Sequence, residues 1–201
     1  MSTTRRVAAL ALASLALAVT ATAGESWTIA SGEVRVRCRL TVGGSFDAVT
    51  SQISGALRLE NAGAAGLVGK VRVRLDSLDT GMELRNAHLR ETYLEVDRGE
   101  EFREAVLTAV ELAEPFPSGV RGHETGFEGL LSLHGVERRV EGEARLVRRE
   151  GHLRVEAEFE LSLAEFAIPP PRYLGVGVRD ELRISITIEA AVAASPPGAP
   201  P

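Results

Sequence analysis

The stretch Arg138-Arg139-Val140-Glu141-Gly142-Glu143-Ala144-Arg145-Leu146-Val147-Arg148-Arg149-Glu150-Gly151-His152-Leu153-Arg154-Val155-Glu156-Ala157-Glu158-Phe159-Glu160-Leu161-Ser162-Leu163 decides the fold. On either side of Glu150-Gly151, apolar or small residues recur at every second position, the period of a strand with one buried face. Gly151 supplies the positive φ that a two-residue hairpin turn requires. With the turn placed there, Leu146 faces Val155, Ala144 faces Ala157, Gly142 faces Phe159 and Val140 faces Leu161. An aromatic ring over a glycine is a good cross-strand pair. On the other face Arg145 meets Glu156. A slip of one residue would turn every one of these side chains to the wrong side of the sheet. The strands 138–149 and 152–163 are therefore predicted to pair in this register. Arg138 is the misfit on the apolar face, and a position at a barrel rim would let its long stem reach solvent.

The same period extends outward from this hairpin. His134-Gly135 between Leu133 and Val136 reads as a second tight turn, because His tolerates positive φ better than most residues. Apolar stripes run through Val34, Val36, Cys38, Leu40 and Val42, and through Val71, Val73 and Leu75. Others run through Phe127, Gly129, Leu131 and Leu133, and through Leu182, Ile184, Ile186, Ile188 and Ala190. The segment 105–112 looks apolar on both faces. With weaker segments at 44–48 and 53–60, eight or nine strands are predicted. One apolar face per strand implies antiparallel pairing, in an all-β sandwich or barrel.

One segment breaks the period. Thr80-Gly81-Met82-Glu83 has the form of a capping box, in which Thr bonds a backbone amide and Glu reaches back. Met82, Leu89, Tyr93 and Val96 then follow on one helical face, which predicts a short helix over about 81–93 packed across one end or side of the sheet.

Length and composition set the class. With 201 residues, 44% hydrophobic and 25% charged, the chain fits one globular domain. A formal charge of −5 argues against general nucleic-acid binding. The 23 basic residues include a single lysine, Lys70, read here as a coding preference rather than chemistry. No apolar run is long enough for a stable membrane span. Arg5 and Arg6, the apolar stretch Val7–Val19 and Ala21-Thr22-Ala23 together read as a secretory signal peptide, 1–23. The expected mature domain is 24–193, periplasmic or secreted, followed by a disordered Pro-rich tail, 194–201.

Functional candidates are few. The four histidines show no metal-ligand spacing, and the lone cysteine, Cys38, sits on an apolar stripe as a small hydrophobe. No nucleophile–base pair, phosphate loop or metal set stands out, so neither an enzyme nor a cofactor is expected. Nine aromatics serve the whole domain, and the inward faces are mostly Val, Ala, Leu, Ile and Gly. A barrel lined in this way is incompletely filled by its own side chains, and a ligand that fills the space removes the cost of the void. The candidate ligand-binding residues are Leu84, His88, Leu89 and Tyr93 on the helix, with Phe127, Phe159 and Phe166 on the sheet side.

Several stretches resemble the YceI-like, or polyisoprenoid-binding lipocalin-like, family across about 27–190. They are Trp27-Thr28-Ile29, Leu75-Asp76-Ser77-Leu78-Asp79-Thr80-Gly81 with Arg85, His88-Leu89-Arg90 and Tyr93-Leu94, Phe127 to Val136 with its Leu-His-Gly-Val turn, and Val178 to Ile184. The resemblance implies an antiparallel eight-stranded lipocalin-like β-barrel with one short helix. It also implies an elongated apolar interior that holds a long isoprenoid, such as the tail of a quinone-like amphiphile. The Ile168–Gly175 loop departs from the family's common form. The leading expectation is a non-catalytic lipid-binding protein. The alternative is a structural or stress-related interaction protein with a closed barrel. Oligomeric state is left open, a homodimer included.

Overall fold

The structure, a computed structural model, describes residues 26–59, 66–117, 120–173 and 175–193. The expected signal peptide and the Pro-rich tail lie outside the described residues. The main sheet contains β1 (Ser26–Arg39), β2 (Ser45–Thr50), β3 (Ile53–Leu59), β4 (Gly66–Arg74), β5 (Glu104–Leu112), β6 (Gly122–Leu133), β7 (Val136–Arg149), β8 (His152–Ser162) and β11 (Glu181–Val192). A two-residue hairpin, β9 (Arg172–Tyr173) and β10 (Val176–Gly177), stands apart from it. Neighbouring strands pair antiparallel, and β11 pairs back onto β1, which closes the sheet. β2 and β3 lie along successive parts of the same edge of β1, opposite 34–39 and 26–28 respectively. They act as one bent strand, so the closed barrel is eight-stranded. Closure leaves no long sheet edge unpaired.

The 150–151 hairpin pairs in the expected register, with Gly142 opposite Phe159, Ala144 opposite Ala157, Arg145 opposite Glu156 and Leu146 opposite Val155. Gly142 is required: a Cβ there would meet the Glu158 carbonyl at 2.2 Å and the Phe127 ring at 3.0 Å. The expected Val140–Leu161 pair is not formed, because the ladder ends at Gly142–Phe159. At this point the outer wall opens into a depression whose lining includes Glu128, Glu141, Glu143, Glu158, Glu160 and Arg183. Both predicted tight turns form with two successive positive φ values: 53° and 72° at His134-Gly135, 38° and 79° at Glu150-Gly151. Arg138 is exposed, as its rim position requires.

Two bulges explain what simple alternation could not. In β1 the pairing with β11 shifts between Ile29 and Ser31, leaving Ala30 as the extra residue. Inward positions are therefore odd before it (Trp27, Ile29) and even after it (Val34, Cys38). In β5 a bulge between Thr108 and Glu111 includes Ala109 at φ 50°. Ala105 and Leu107 pack inward before it, and Val110 and Leu112 after it, which is why this strand reads as apolar on both faces.

The helical insertion is α1 (Glu83–His88), continued by a wider π-type turn, Leu89–Tyr93. The expected capping box does not form. Met82 occupies the N-cap with no side-chain hydrogen bond, because Thr80 is already engaged elsewhere. Its hydroxyl and its backbone N–H both donate to Asn86 Oδ1, at 2.7 and 2.8 Å. Asn86, only 4% exposed, donates in turn to Asp79 Oδ1 at 2.8 Å and ties the helix to the turn before it. The predicted single apolar face also breaks up. Met82 is 53% exposed, and Val96 belongs to a separate 3-10 turn that follows Glu95 at φ 49°. The π-type turn rotates the chain out of helical phase before Val96 is reached. A second short helix, α2 (Glu100–Arg103), leads into β5.

His134 has more than a turn role. It is 8% exposed; Nδ1 lies 3.2 Å from the Phe166 carbonyl and Nε2 lies 3.1 Å from Glu95 Oε2. It thereby joins the β6–β7 turn to the segments on either side of it.

Candidate functional site

The barrel interior divides into two halves. In one, Trp27, Leu57, Leu112, Phe127, Leu146, Leu153 and Ala190 are buried in the core, and none of them borders the chamber in the other half, although Leu112 and Phe127 back the outer depression. In the other lies a cavity of about 590 Å³, within the range typical of small-molecule sites, about 300–1,000 Å³. Its walls are the inward faces of the strands: Val34, Val36 and Cys38 from β1, Val71 and Val73 from β4, Leu107, Leu131, Leu161 and Ile184 from the rest. The floor is Phe159. Its ring meets Phe127 edge-on, with centroids 6.1 Å apart, so Phe127 belongs to the filled half and Phe159 to the hollow one.

Three irregular segments form the mouth. The first is the turn between β1 and β2, with Leu40 and Phe46. The second is the helical insertion, which presents Arg85, His88 and Leu89 at i, i+3 and i+4, followed by Tyr93. The third is the segment from Ile168 to Val178, which carries the β9–β10 hairpin. Hydrogen bonds pin them together. The Arg172 N–H donates to Tyr93 Oη at 3.2 Å, the Thr41 N–H to the Gly177 carbonyl at 2.8 Å, and the Gly177 N–H to Thr41 Oγ1 at 2.9 Å. Met82 and Leu84 border the cavity yet are 53% and 62% exposed, so this end communicates with solvent.

Of the seven residues expected at the site, Leu84, His88, Leu89, Tyr93 and Phe159 border the cavity. Phe127 and Phe166 do not, and this corrects the expectation. Phe127 stands behind Phe159, and Phe166 is fully buried beneath the β6–β7 turn with its carbonyl against His134. Sequence reading missed Phe46, Arg85, Arg172 and Val176. The unusual Ile168–Gly175 loop was the available signal for Arg172, and Val176 follows it directly. Cys38 borders the cavity as a buried neutral thiol. Burial pushes its pKa up to about 12, with the Asp47 carboxylate adding to the shift, so it carries little nucleophilic thiolate at neutral pH. Among the described residues, no His, Cys, Asp and Glu side chains are grouped so that they could hold a metal ion, and no helix is long and apolar enough to cross a membrane.

A closed antiparallel barrel with an apolar chamber open at one end defines a class of small-molecule binding barrels. The chain belongs to the YceI-like domain family, whose profile matches residues 27–190. Solved structures share the fold at low sequence identity. BcnA from Burkholderia cenocepacia superposes with a TM-score of 0.64 at 14% identity, covering 80% of this chain and 96% of that one. A polyisoprenoid binding domain from Saccharophagus degradans, implicated in plant cell wall breakdown, gives 0.60 at 12% identity, covering 84% and 99%. The Campylobacter jejuni YceI protein gives 0.50 at 13% identity, covering 71% and 82%. No curated protein matches the chain.

Proposed function

We propose that this protein holds the chain of a long isoprenoid in the hollow half of the barrel and leaves it chemically unchanged. The observation that carries the reading is the 590 Å³ cavity, walled by aliphatic strand residues and open to solvent at the exposed helix residues Met82 and Leu84. Burial of apolar chain is worth about 25 cal/mol per Å², so a space of this lining favours hydrocarbon over a polar metabolite. The isoprenoid-binding relative from Saccharophagus degradans supports the choice of ligand. An empty apolar chamber is also costly to maintain without an occupant. The alternative, an interaction protein with a closed barrel, calls for a filled interior, and the cavity argues against it.

The test is mass spectrometry of lipid extracted from protein purified under native conditions. The expected result is a stoichiometric isoprenoid species. Protein that carries no lipid and binds no added isoprenoid would overturn the reading. We further propose export to the periplasm or beyond with cleavage after Ala23, supported by the basic start and apolar stretch of 1–23. N-terminal sequencing of exported protein should begin at Gly24, and a retained Met1 in that material would contradict it.

A further inference from the structure

Among the described residues, the charged side chains that border the cavity are both basic. They are Arg85 and Arg172, with His88 beside them, and no described Asp or Glu borders it, although the chain has 28 acidic residues against 23 basic ones. Most arginines elsewhere on the barrel have a carboxylate beside them: Arg74 has Asp76 at 2.6 Å, Arg139 has Glu128 at 2.8 Å, and Arg154 has Glu156 at 2.8 Å. Arg85 and Arg172 form no such pair. The Arg85 guanidinium lies over the Phe46 ring, 4.0 Å from its centroid. Its one hydrogen-bond acceptor is the Met82 thioether at 2.9 Å, a weak one. Arg172 is fixed through its backbone, whose N–H donates to Tyr93 Oη, and its guanidinium pairs with no carboxylate among the described residues.

We infer that the mouth is built for an oxyanion head group, so that the preferred ligand is an isoprenoid ending in a phosphate or carboxylate rather than in a neutral head such as a quinone or alcohol. The inference rests on the proposed function above and narrows it. The guanidinium fork matches the geometry of such oxyanions and binds them in pairs of parallel hydrogen bonds. Arg85 is half-buried at the edge of the chamber and Arg172 is exposed, so an arriving oxyanion replaces water at both. A chain filling the barrel from Phe159 outward brings its head to the mouth that Arg85, His88 and Arg172 border. The stacked Phe46 ring holds the Arg85 plane while leaving its edge available.

The experiment compares two lipids with the same chain, geranylgeranyl phosphate and geranylgeraniol, titrated into the delipidated full chain by calorimetry, with inorganic phosphate as a third arm. The phosphate lipid should bind about tenfold or more tightly at low salt, the size of a charge-assisted hydrogen bond or two. The difference should narrow as salt is raised. The double variant Arg85→Gln/Arg172→Gln should lose the preference and still bind geranylgeraniol, a readout that also reports a folded protein. Equal affinity for the two lipids in the unmodified protein, or a preference that survives in the double variant, overturns the inference and leaves the chamber reading standing. Inorganic phosphate binding as tightly as the phosphate lipid would assign the cations to a free anion and overturn it too. If neither lipid binds, the chamber reading itself falls and takes the inference with it.

Discussion

The two halves of this barrel are made from the same strands and differ in what fills them. The closed half uses aromatic bulk and fully buried leucines, Trp27, Phe127, Leu146 and Leu153, and none of these four lines the chamber. The hollow half is lined mainly by Val, Leu and Ile side chains around an open space, and its end is covered by irregular segments. The same sheet thus carries a packed core at one end and a chamber under the irregular segments at the other. The teaching is local: the same substitution should act on stability in one half and on binding in the other.

The largest effect should come from Leu146→Ala. This residue has no exposed surface and no void beside it, so truncation creates a cavity and should cost about 3–5 kcal/mol in denaturant unfolding. Leu107→Ala, facing space that is already empty, should fall at the low end of the range for such changes, about 2 kcal/mol. Equal losses at the two positions would erase the distinction between the halves.

Gly142→Ala tests the boundary. The added Cβ meets the backbone carbonyl of Glu158, which cannot swing away as a side chain could. A loss of about 1–3 kcal/mol is expected, with a tilt of the Phe127–Phe159 pair visible as changed aromatic signals in NMR spectra. Unchanged stability would mean that the ring-over-glycine pair is not a constraint.

Smaller effects belong to the mouth. Asn86→Ala removes the group that joins the helix to Asp79 and Thr80. It should cost about 1–2 kcal/mol and speed exchange of amides in 83–93 before those of the barrel strands. Uniform acceleration across the barrel would contradict a separable lid. Acid should do the same more gently. Hydrogen bonds from Asn86 and from the Gly81 N–H hold the Asp79 carboxyl below the usual 3.8. Its contribution is therefore fully present above the ordinary carboxylate range and is lost as pH falls through the depressed value. Amide exchange of 83–93 should rise relative to β7 and β8 on acidification below about pH 4. Asp79→Asn should remove most of that pH dependence. A helix whose relative protection ignores pH in both proteins would refute the role given to Asp79.

How much of this was legible in the sequence follows the same division. Strand period, the two tight turns and the Gly142–Phe159 register were readable because a one-residue slip reverses every side chain. The bulge in β5 was written as apolar residues on both faces, but its position was not. The helix was visible by its break in period, while its cap was misread: Thr80 and Glu83 fit the motif, and Asn86, a mid-helix residue with no pattern of its own, took the threonine instead. Phe127 was read correctly as inward yet does not border the cavity, because alternation reports the face of a strand and not the height along a barrel, and Phe166 lies in a 3-10 turn that strand period does not describe. Arg85 and Arg172 were missed for a related reason. A charge on a short helix or a loop looks solvated until the opposite segment is in place.

The most direct test of the account uses Phe159→Trp on delipidated protein, with thermal melting and geranylgeraniol binding measured side by side. Phe159 is the floor of the chamber, so extra bulk there occupies space that the ligand needs and adds little strain to the empty barrel. The prediction is a loss of affinity of about tenfold, as one or two methylenes are displaced from apolar contact, with the melting temperature nearly unchanged. In a packed core the same overfilling would cost about 1–3 kcal/mol of stability. A markedly lower melting temperature with unchanged isoprenoid binding would contradict the division of the barrel into a filled half and a hollow one.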